Sequence, residues 1–147
     1  PTNRGVSKGC EHWLTTHWHE NASATVDALH GEGYRVLLAM PADDSLPLHE
    51  VDFSEKIALI FGNEHAGVSP EFVGLQDGCY HIPMYGFVES FNVSVAVAVS
   101  VSYAARARRI AVDAETDLSP EASDGLLAKW IARELETRRW PAKETGI

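Results

Sequence analysis

The sequence predicts an α/β fold: a parallel sheet covered by helices, followed by a separate amphipathic helix. Three observations carry this reading. Tyr34 to Met40, Ile57 to Phe61 and Cys79 to Ile82 are short apolar runs of the length and composition of buried strands. Helix signals alternate with them, and a β-α-β-α-β rhythm implies parallel strands joined by right-handed crossovers. Far downstream, Leu127, Trp130, Ile131 and Leu135 recur at helical spacing.

Size and composition bound the answer. The chain has 147 residues, 45% of them hydrophobic, enough for one core plus an appendage. The division falls at residues 1–112 and 113–147. The chain starts at Pro1 and not at Met, so it reads as a piece of something longer. No apolar run reaches the roughly 18 residues of a membrane span, and no signal peptide is visible. Cys10 and Cys79 sit in no metal-like spacing and read as two reduced thiols of a cytoplasmic protein. A formal charge of −9 argues against a wholly basic nucleic-acid coat. The local cluster Arg106, Arg108 and Arg109 is the main exception.

In chain order, Pro1 to Gly9 is polar and glycine-containing loop. A short strand is expected near Trp13 to His17. His12, His17 and His19 lie close together, but no carboxylate or cysteine completes a recognisable metal site, so they read as surface or edge histidines. Asn21 is a good N-cap for a helix through Leu29, stopped by Gly31 and Gly33. The Tyr34 to Met40 strand ends at Pro41 and the polar run Ala42 to Ser45, and Leu46 to Glu55 reads as a connector. After the Ile57 to Phe61 strand, Ser69-Pro70-Glu71 has the grammar of a helix start: cap, proline at the first position, acid in the first turn. That short helix is expected to end across Leu75 to Gly78, before the Cys79 to Ile82 strand.

Phe91 to Arg109 is the ambiguous stretch. Val93, Val95, Val97, Val99 and Val101 alternate with Ser and Ala, formally the two-residue period of a strand. The run is nevertheless long, lacks an internal turn residue and ends in the helix-favouring Tyr103 to Arg109. Small residues on every side suit a helix buried on several faces, so a helix is predicted. Asp113 to Leu118 is then a polar linker, and Ser119-Pro120-Glu121 repeats the helix-start pattern. The apolar stripe of this tail needs a covering surface: its own domain, a second subunit or a substrate.

Two loops carry the chemistry, Phe61 to Ser69 and Ile82 to Ser94. Each follows a predicted strand and so lies at the carboxyl edge of the sheet, where open α/β sheets bind ligands. Gly62 and Gly67 allow a tight turn and a close approach of backbone to ligand. Ile82-Pro83-Met84 with Gly86 forms a second stiff turn able to wrap an adenine-sized ring. Glu64 is the only acid in the first loop; Ser90 and Asn92 put a hydroxyl and a carboxamide where free helix N–H groups favour an anion. Spacing alone leaves two roles open for these three, ligand chemistry or the capping and bracing of loops.

The combination Gly62-Asn63-Glu64 with Gly67-Val68-Ser69, then Ile82-Pro83-Met84, Gly86, Val88 and Ser90-Phe91-Asn92-Val93-Ser94-Val95-Ala96, closely resembles the last two motifs of the SpoU/TrmH family. These are SPOUT-class RNA 2′-O-ribose methyltransferases, and the likeness runs from about Gly5 to Arg109 and is strongest to the tRNA-modifying TrmH branch. The resemblance implies a parallel-sheet SPOUT fold whose C-terminal part is threaded into a trefoil knot, S-adenosylmethionine held in the knot loops, and a homodimer acting on RNA, tRNA before ribosomal RNA. By position it implies cofactor contacts from Leu38, Ala39, Gly62, Ile82, Met84 and Phe91, and active-site roles for Glu64, Ser90 and Asn92. No metal is implied. Phe91 stands where leucine is commoner in the family, and the family's first motif, with an Asn and a catalytic Arg, would lie before Pro1. Two other readings weigh against a tRNA enzyme: a catalytically silent RNA-binding relative, and a member of the ribosomal RNA branch. A dinucleotide-binding oxidoreductase is the weakest, because no Gly-x-Gly-x-x-Gly follows a strand.

Overall fold

A computed structural model describes residues 13–64, 66–87 and 90–137. Pro1, Gly5, Gly9, Cys10, His12 and Val88, all named above, lie outside the described residues. The chain forms two compact units: residues 18–115, which hold the sheet, and a second unit in which the chain near Trp13 joins residues beyond 115.

The sheet has four parallel strands: β1 (Arg35–Ala39), β2 (Leu46–Pro47), β3 (Ile57–Ile60) and β4 (Gly78–His81), in the order β2-β4-β1-β3. Register is set by Leu37↔Leu59 between β1 and β3, Leu38↔Cys79 between β1 and β4, and Leu46↔Tyr80 between β2 and β4. The three expected strands are therefore present, and β2 is an addition at the edge within the expected connector. Val36, Leu37 and Leu38 are all fully sealed, as in a strand covered on both faces.

Leu37 and Tyr80 join Leu48, Val51 and Phe53 in the core on one face, against which Ala104 and Ala107 pack. Those alanines belong to α2 (Val93–Val112), the long helix, so the valine alternation did not make a strand. Small side chains let the helix lie close, and its own Ser100 is fully buried. Tyr103 and Arg108 fix α2 to the 48–54 segment: the tyrosine hydroxyl donates to the His49 carbonyl at 3.4 Å, and the guanidinium donates to the carbonyls of Phe53 and Ser54. Its C-terminus turns off at Asp113, a non-glycine residue in the left-handed region at φ 51°.

On β1's other side packs α1 (Ala22–Gly31), whose Val26 and Ala22 are buried. Asn21 caps it as the sequence indicates, Oδ1 accepting from Ala24 N at 2.8 Å. Asp77 ties this layer together at the amino end of the strands: Oδ2 accepts from Val36 N at 2.7 Å and meets His30 Nε2 at 2.9 Å. The Val36 N–H and His30 hold the Asp77 carboxyl below its ordinary range, outweighing partial burial.

Two expectations fail locally. Trp13 to His17 form no strand; Thr15, Thr16 and His17 supply no continuous apolar face to pair. Ser69-Pro70-Glu71 begins only a 3-10 turn, Pro70–Phe72, with no side-chain cap from Ser69 and with Gly74 at φ 91° turning the chain away.

In the second unit, Ser119 caps α3 (Pro120–Thr137) by accepting from Ala122 N at 3.2 Å. Trp13 stacks edge-on against Trp130 with centroids 5.6 Å apart, while Leu127, Ile131 and Leu135 remain exposed. No helix among the described residues is long and apolar enough to cross a membrane.

Candidate functional site

The carboxyl ends of β1, β3 and β4 and the first turns of α2 surround a cavity of about 500 Å³. Parallel strands deliver all three loops to one edge, so the site follows from topology. Its size falls in the roughly 300–1,000 Å³ range usual for small-molecule pockets.

The β3 loop is a closed ring. Asn63 N donates to the Gly67 carbonyl at 2.9 Å, Gly67 N returns a bond to the Asn63 carbonyl at 3.1 Å, and Asn63 Oδ1 accepts from Ala66 N at 2.6 Å. Gly67 sits at φ 68° in open space, a conformational requirement. Gly62 is required by the tight turn itself. A β-carbon there would lie 1.9 Å from the Gly67 carbonyl carbon and 2.2 Å from Val68 N. The loop's own backbone excludes a side chain at Gly62, before any ligand is considered. Glu64 extends from this ring to the cavity.

The β4 loop contributes Ile82 and Met84 to the wall, and Ser90 and Phe91 close it at the foot of α2. Gly86, at φ 124°, shapes the loop without lining the cavity. Asn92 is the N-cap of α2, its Oδ1 accepting from Ser94 N at 2.9 Å. Its Nδ2 donates to Glu64 Oε1 at 3.0 Å. Of the two roles left open by spacing, these contacts are the capping and bracing one: Asn92 caps the helix and braces the Glu64 carboxylate that faces the cavity.

Of the residues expected at the cofactor, Ala39, Gly62, Ile82, Met84 and Phe91 line the cavity. Leu38 does not. It is 0% exposed inside the sheet, opposite Cys79 and Ile60, and the wall at that strand end is built by Ala39, Met40 and Pro41. Glu64 and Ser90 line the cavity, and Asn92 reaches it through Glu64.

Tyr80, His81 and Ser100, not named in the sequence reading, line the cavity, as does Phe61, named there only as a strand end and loop boundary. Tyr80 OH donates to Ser100 Oγ at 3.0 Å, with both residues 0% exposed, and Phe61 meets the tyrosine ring edge-on at 6.4 Å. Burial pushes the Tyr80 phenol up from its ordinary range, eased by the serine bond. His81 Nδ1 lies 2.8 Å from Ser45 Oγ. These pairs span 20 and 36 residues, so no local pattern announces them. Strand position was the available signal, since Tyr80 and His81 end β4.

The basic cluster is less available than its sequence suggests. Arg108 binds the Phe53 and Ser54 carbonyls, and Arg109 Nε donates to the Glu115 carbonyl at 3.2 Å; Arg106 is exposed. Among the described residues, no cluster of three or more His, Cys, Asp or Glu is placed to hold a metal.

Comparison with known proteins agrees with this architecture. Residues 1–102 match the SpoU rRNA Methylase family. A tRNA (guanosine(18)-2′-O)-methyltransferase of Aquifex aeolicus is 30% identical over 138 residues, 93% of this chain. The chain spans 65% of that relative's length. The crystal structure of an A. aeolicus TrmH/SpoU tRNA modifying enzyme superposes with a TM-score of 0.75 at 29% identity, covering 95% of this chain and 70% of that one. The SpoU methyltransferase AviRb of Streptomyces viridochromogenes, solved in complex with AdoMet, matches with a TM-score of 0.50 at 28% identity, over 57% of this chain and 34% of that one. A parallel sheet with its loops gathered at one edge, the two loop motifs that build the cavity and the family match over 102 residues lead to one assignment: this chain belongs to the SpoU methylase family.

Proposed function

We propose that this chain carries the methyl-transfer site of an S-adenosylmethionine-dependent RNA ribose 2′-O-methyltransferase that acts on tRNA in the cytoplasm as a homodimer. The observation that carries the proposal is the cavity itself, with the Asn92–Glu64 pair at its edge. Its residues suit the cofactor. Phe61, Ile82, Met84 and Phe91 supply apolar walls for an adenine ring, and the Glu64 carboxylate suits a cationic sulfonium and ammonium. Naming tRNA rests on likeness to the Aquifex enzyme. A trefoil knot in the β3 and β4 loops is part of the same proposal.

When bound, the cofactor supplies a methyl group activated on a positively charged sulfur. The chain's own residues have three tasks. Ala39, Gly62, Ile82, Met84 and Phe91 hold and orient the ligand. Glu64, fixed by Asn92, offers an acceptor for the ribose hydroxyl or its proton, and Ser90 offers a hydroxyl beside it. The enclosing loops align donor and acceptor, which can lower a barrier by about 7–11 kcal/mol when orientation is near ideal.

The test is a ribose-methylation map of RNA from cells with and without the protein. Loss of one 2′-O-methyl mark in tRNA, restored by the wild-type gene and not by Asn92→Ala, is expected. An unchanged tRNA map would overturn the proposed substrate, and failure of the purified protein to bind S-adenosylmethionine would overturn the proposed chemistry.

A further inference from the structure

The cavity has two polar flanks, and only one has been given a task. Strand order β2-β4-β1-β3 separates them. The Glu64–Asn92 pair follows β3 at one side; Ser45 and His81 sit on the other, where β2 pairs with β4 through Pro47↔His81. Taking the cofactor reading of the cavity as given, we propose that His81 binds the carboxylate of the zwitterionic cofactor and that Ser45 is the positioning residue that sets the imidazole.

The charges decide which end of the ligand goes where. Glu64, His81 and Tyr80 are the titratable side chains on the wall. Glu64 repels a carboxylate. The positive end of the α2 dipole, which would otherwise attract one, already meets the Glu64 carboxylate through Asn92. Tyr80 is engaged with Ser100 in the buried floor. That leaves the imidazole as the group suited to an anion.

The state of the imidazole follows from Ser45. His81 Nδ1 is 2.8 Å from Ser45 Oγ, and Nε2 makes no hydrogen bond or ion pair with any described residue. With the hydroxyl donating to Nδ1, the neutral ring carries its proton on Nε2; the protonated ring, with the hydroxyl accepting, carries one there too. Both states present an N–H donor from Nε2, and a carboxylate ligand favours both over the remaining tautomer. Ser45 also pins the Pro41 to Ser45 segment, whose Pro41 is part of the same wall, to the end of β4.

Two ligands that differ only in the carboxylate give the test: S-adenosylmethionine and its decarboxylated form, titrated by calorimetry into wild-type protein, His81→Ala, His81→Gln and Ser45→Ala. His81→Ala should weaken S-adenosylmethionine binding by about tenfold, the size of one charge-assisted hydrogen bond, and leave the decarboxylated ligand unchanged. His81→Gln keeps an N–H donor and should recover part of the loss, which also covers the case in which the alanine variant does not fold. Ser45→Ala should fall between wild type and His81→Ala. Equal losses for the two ligands, or no loss for either, would overturn the assignment of His81 while leaving the cofactor site standing. Wild-type protein that binds neither ligand would overturn the cofactor reading itself, and this inference with it.

Discussion

Asn92 and Glu64, 28 residues apart in the chain, are joined by a 3.0 Å bond from Nδ2 to Oε1, while Asn92 Oδ1 caps α2 through Ser94 N at 2.9 Å. One carboxamide therefore couples the β3 loop to the foot of the long helix, and each of its two atoms does one job.

Those jobs separate by mutation. Asn92→Asp keeps an acceptor for Ser94 N but sets a second carboxylate against Glu64; Asn92→Ala removes both contacts. Both variants should lose methyl transfer by on the order of 10²-fold in single-turnover assays. Only Asn92→Ala should also lose about 1 kcal/mol of stability in urea unfolding, the usual worth of an N-cap. Wild-type rates in Asn92→Asp would show that the contact with Glu64 has no part in the chemistry.

Gly62→Ala and Gly67→Ala should differ sharply although the residues close the same ring. A methyl at Gly62 collides with backbone at 1.9 Å, so the loop must open and the cavity wall with it. At Gly67 there is room, and the penalty is the left-handed backbone, about 1–2 kcal/mol. Calorimetry should find S-adenosylmethionine affinity lost in Gly62→Ala and mostly kept in Gly67→Ala. The reverse order would contradict the geometry.

Removal of either partner of the buried Tyr80–Ser100 pair strands the other. Tyr80→Phe and Ser100→Ala should each cost about 1–3 kcal/mol in urea unfolding, and the double variant less than the sum of the two. Strict additivity would mean that the 3.0 Å bond contributes nothing to stability.

Asp77 makes stability depend on acid. Its folded carboxyl titrates below the ordinary 3.8, so the unfolded chain binds that proton more tightly. Its contribution is complete above about pH 4 and drains away as pH falls through the depressed folded value. Asp77→Asn should therefore be less stable than wild type at neutral pH, with the gap closing in acid. Urea midpoints measured across the acid limb check this, and a gap that widens in acid has the wrong sign. Both side chains of the His30–Asp77 pair are more than a third exposed, so solvent screens the effect.

α2 leaves Val95 45%, Val99 39%, Val101 52% and Ile110 70% exposed, and Ser100 is its one buried residue. In a twofold homodimer, the commonest closed symmetry, such valines are covered. Wild-type protein should scatter light as a dimer at micromolar concentration, and Val101→Glu should shift it to a monomer without loss of helix content. A monomeric wild type would remove this assembly from the proposal.

Legibility in the sequence tracked the range over which each signal acts. Apolar runs marked β1, β3 and β4, and the caps Asn21, Asn92 and Ser119 marked where the helices begin, because those signals lie within a few residues. Leu46–Pro47 is too short to show a period, so β2 emerged only once β4 existed to pair with it. Ser69-Pro70-Glu71 had the correct grammar and no propagation, since Gly74 intervenes two residues after the turn ends. Glycines marked the loops that form the cavity and their tight turns, but that Gly67 is the backbone Gly62 must clear is set only when the loop closes. Tyr80, Ser100, Ser45 and His81 have partners set by long-range packing and were invisible for that reason.

The order β2-β4-β1-β3 also fixes a timetable. β4, though last in sequence of the four strands, lies between β1 and β2 and is, among the described residues, the strand with which β2 pairs. On the ribosome, β1 can meet β3 once Ile60 has emerged, but β2 must wait without a neighbour until Gly78–His81 follows. Leu48, Val51 and Phe53 share a core with Tyr80, so they stay wet over the same interval. Closure depends on contacts distant in sequence, which slows folding. Chaperones would therefore find their substrate in the nascent chain after β3 and before β4, when both strands that flank β4 have been made and β4 itself has not.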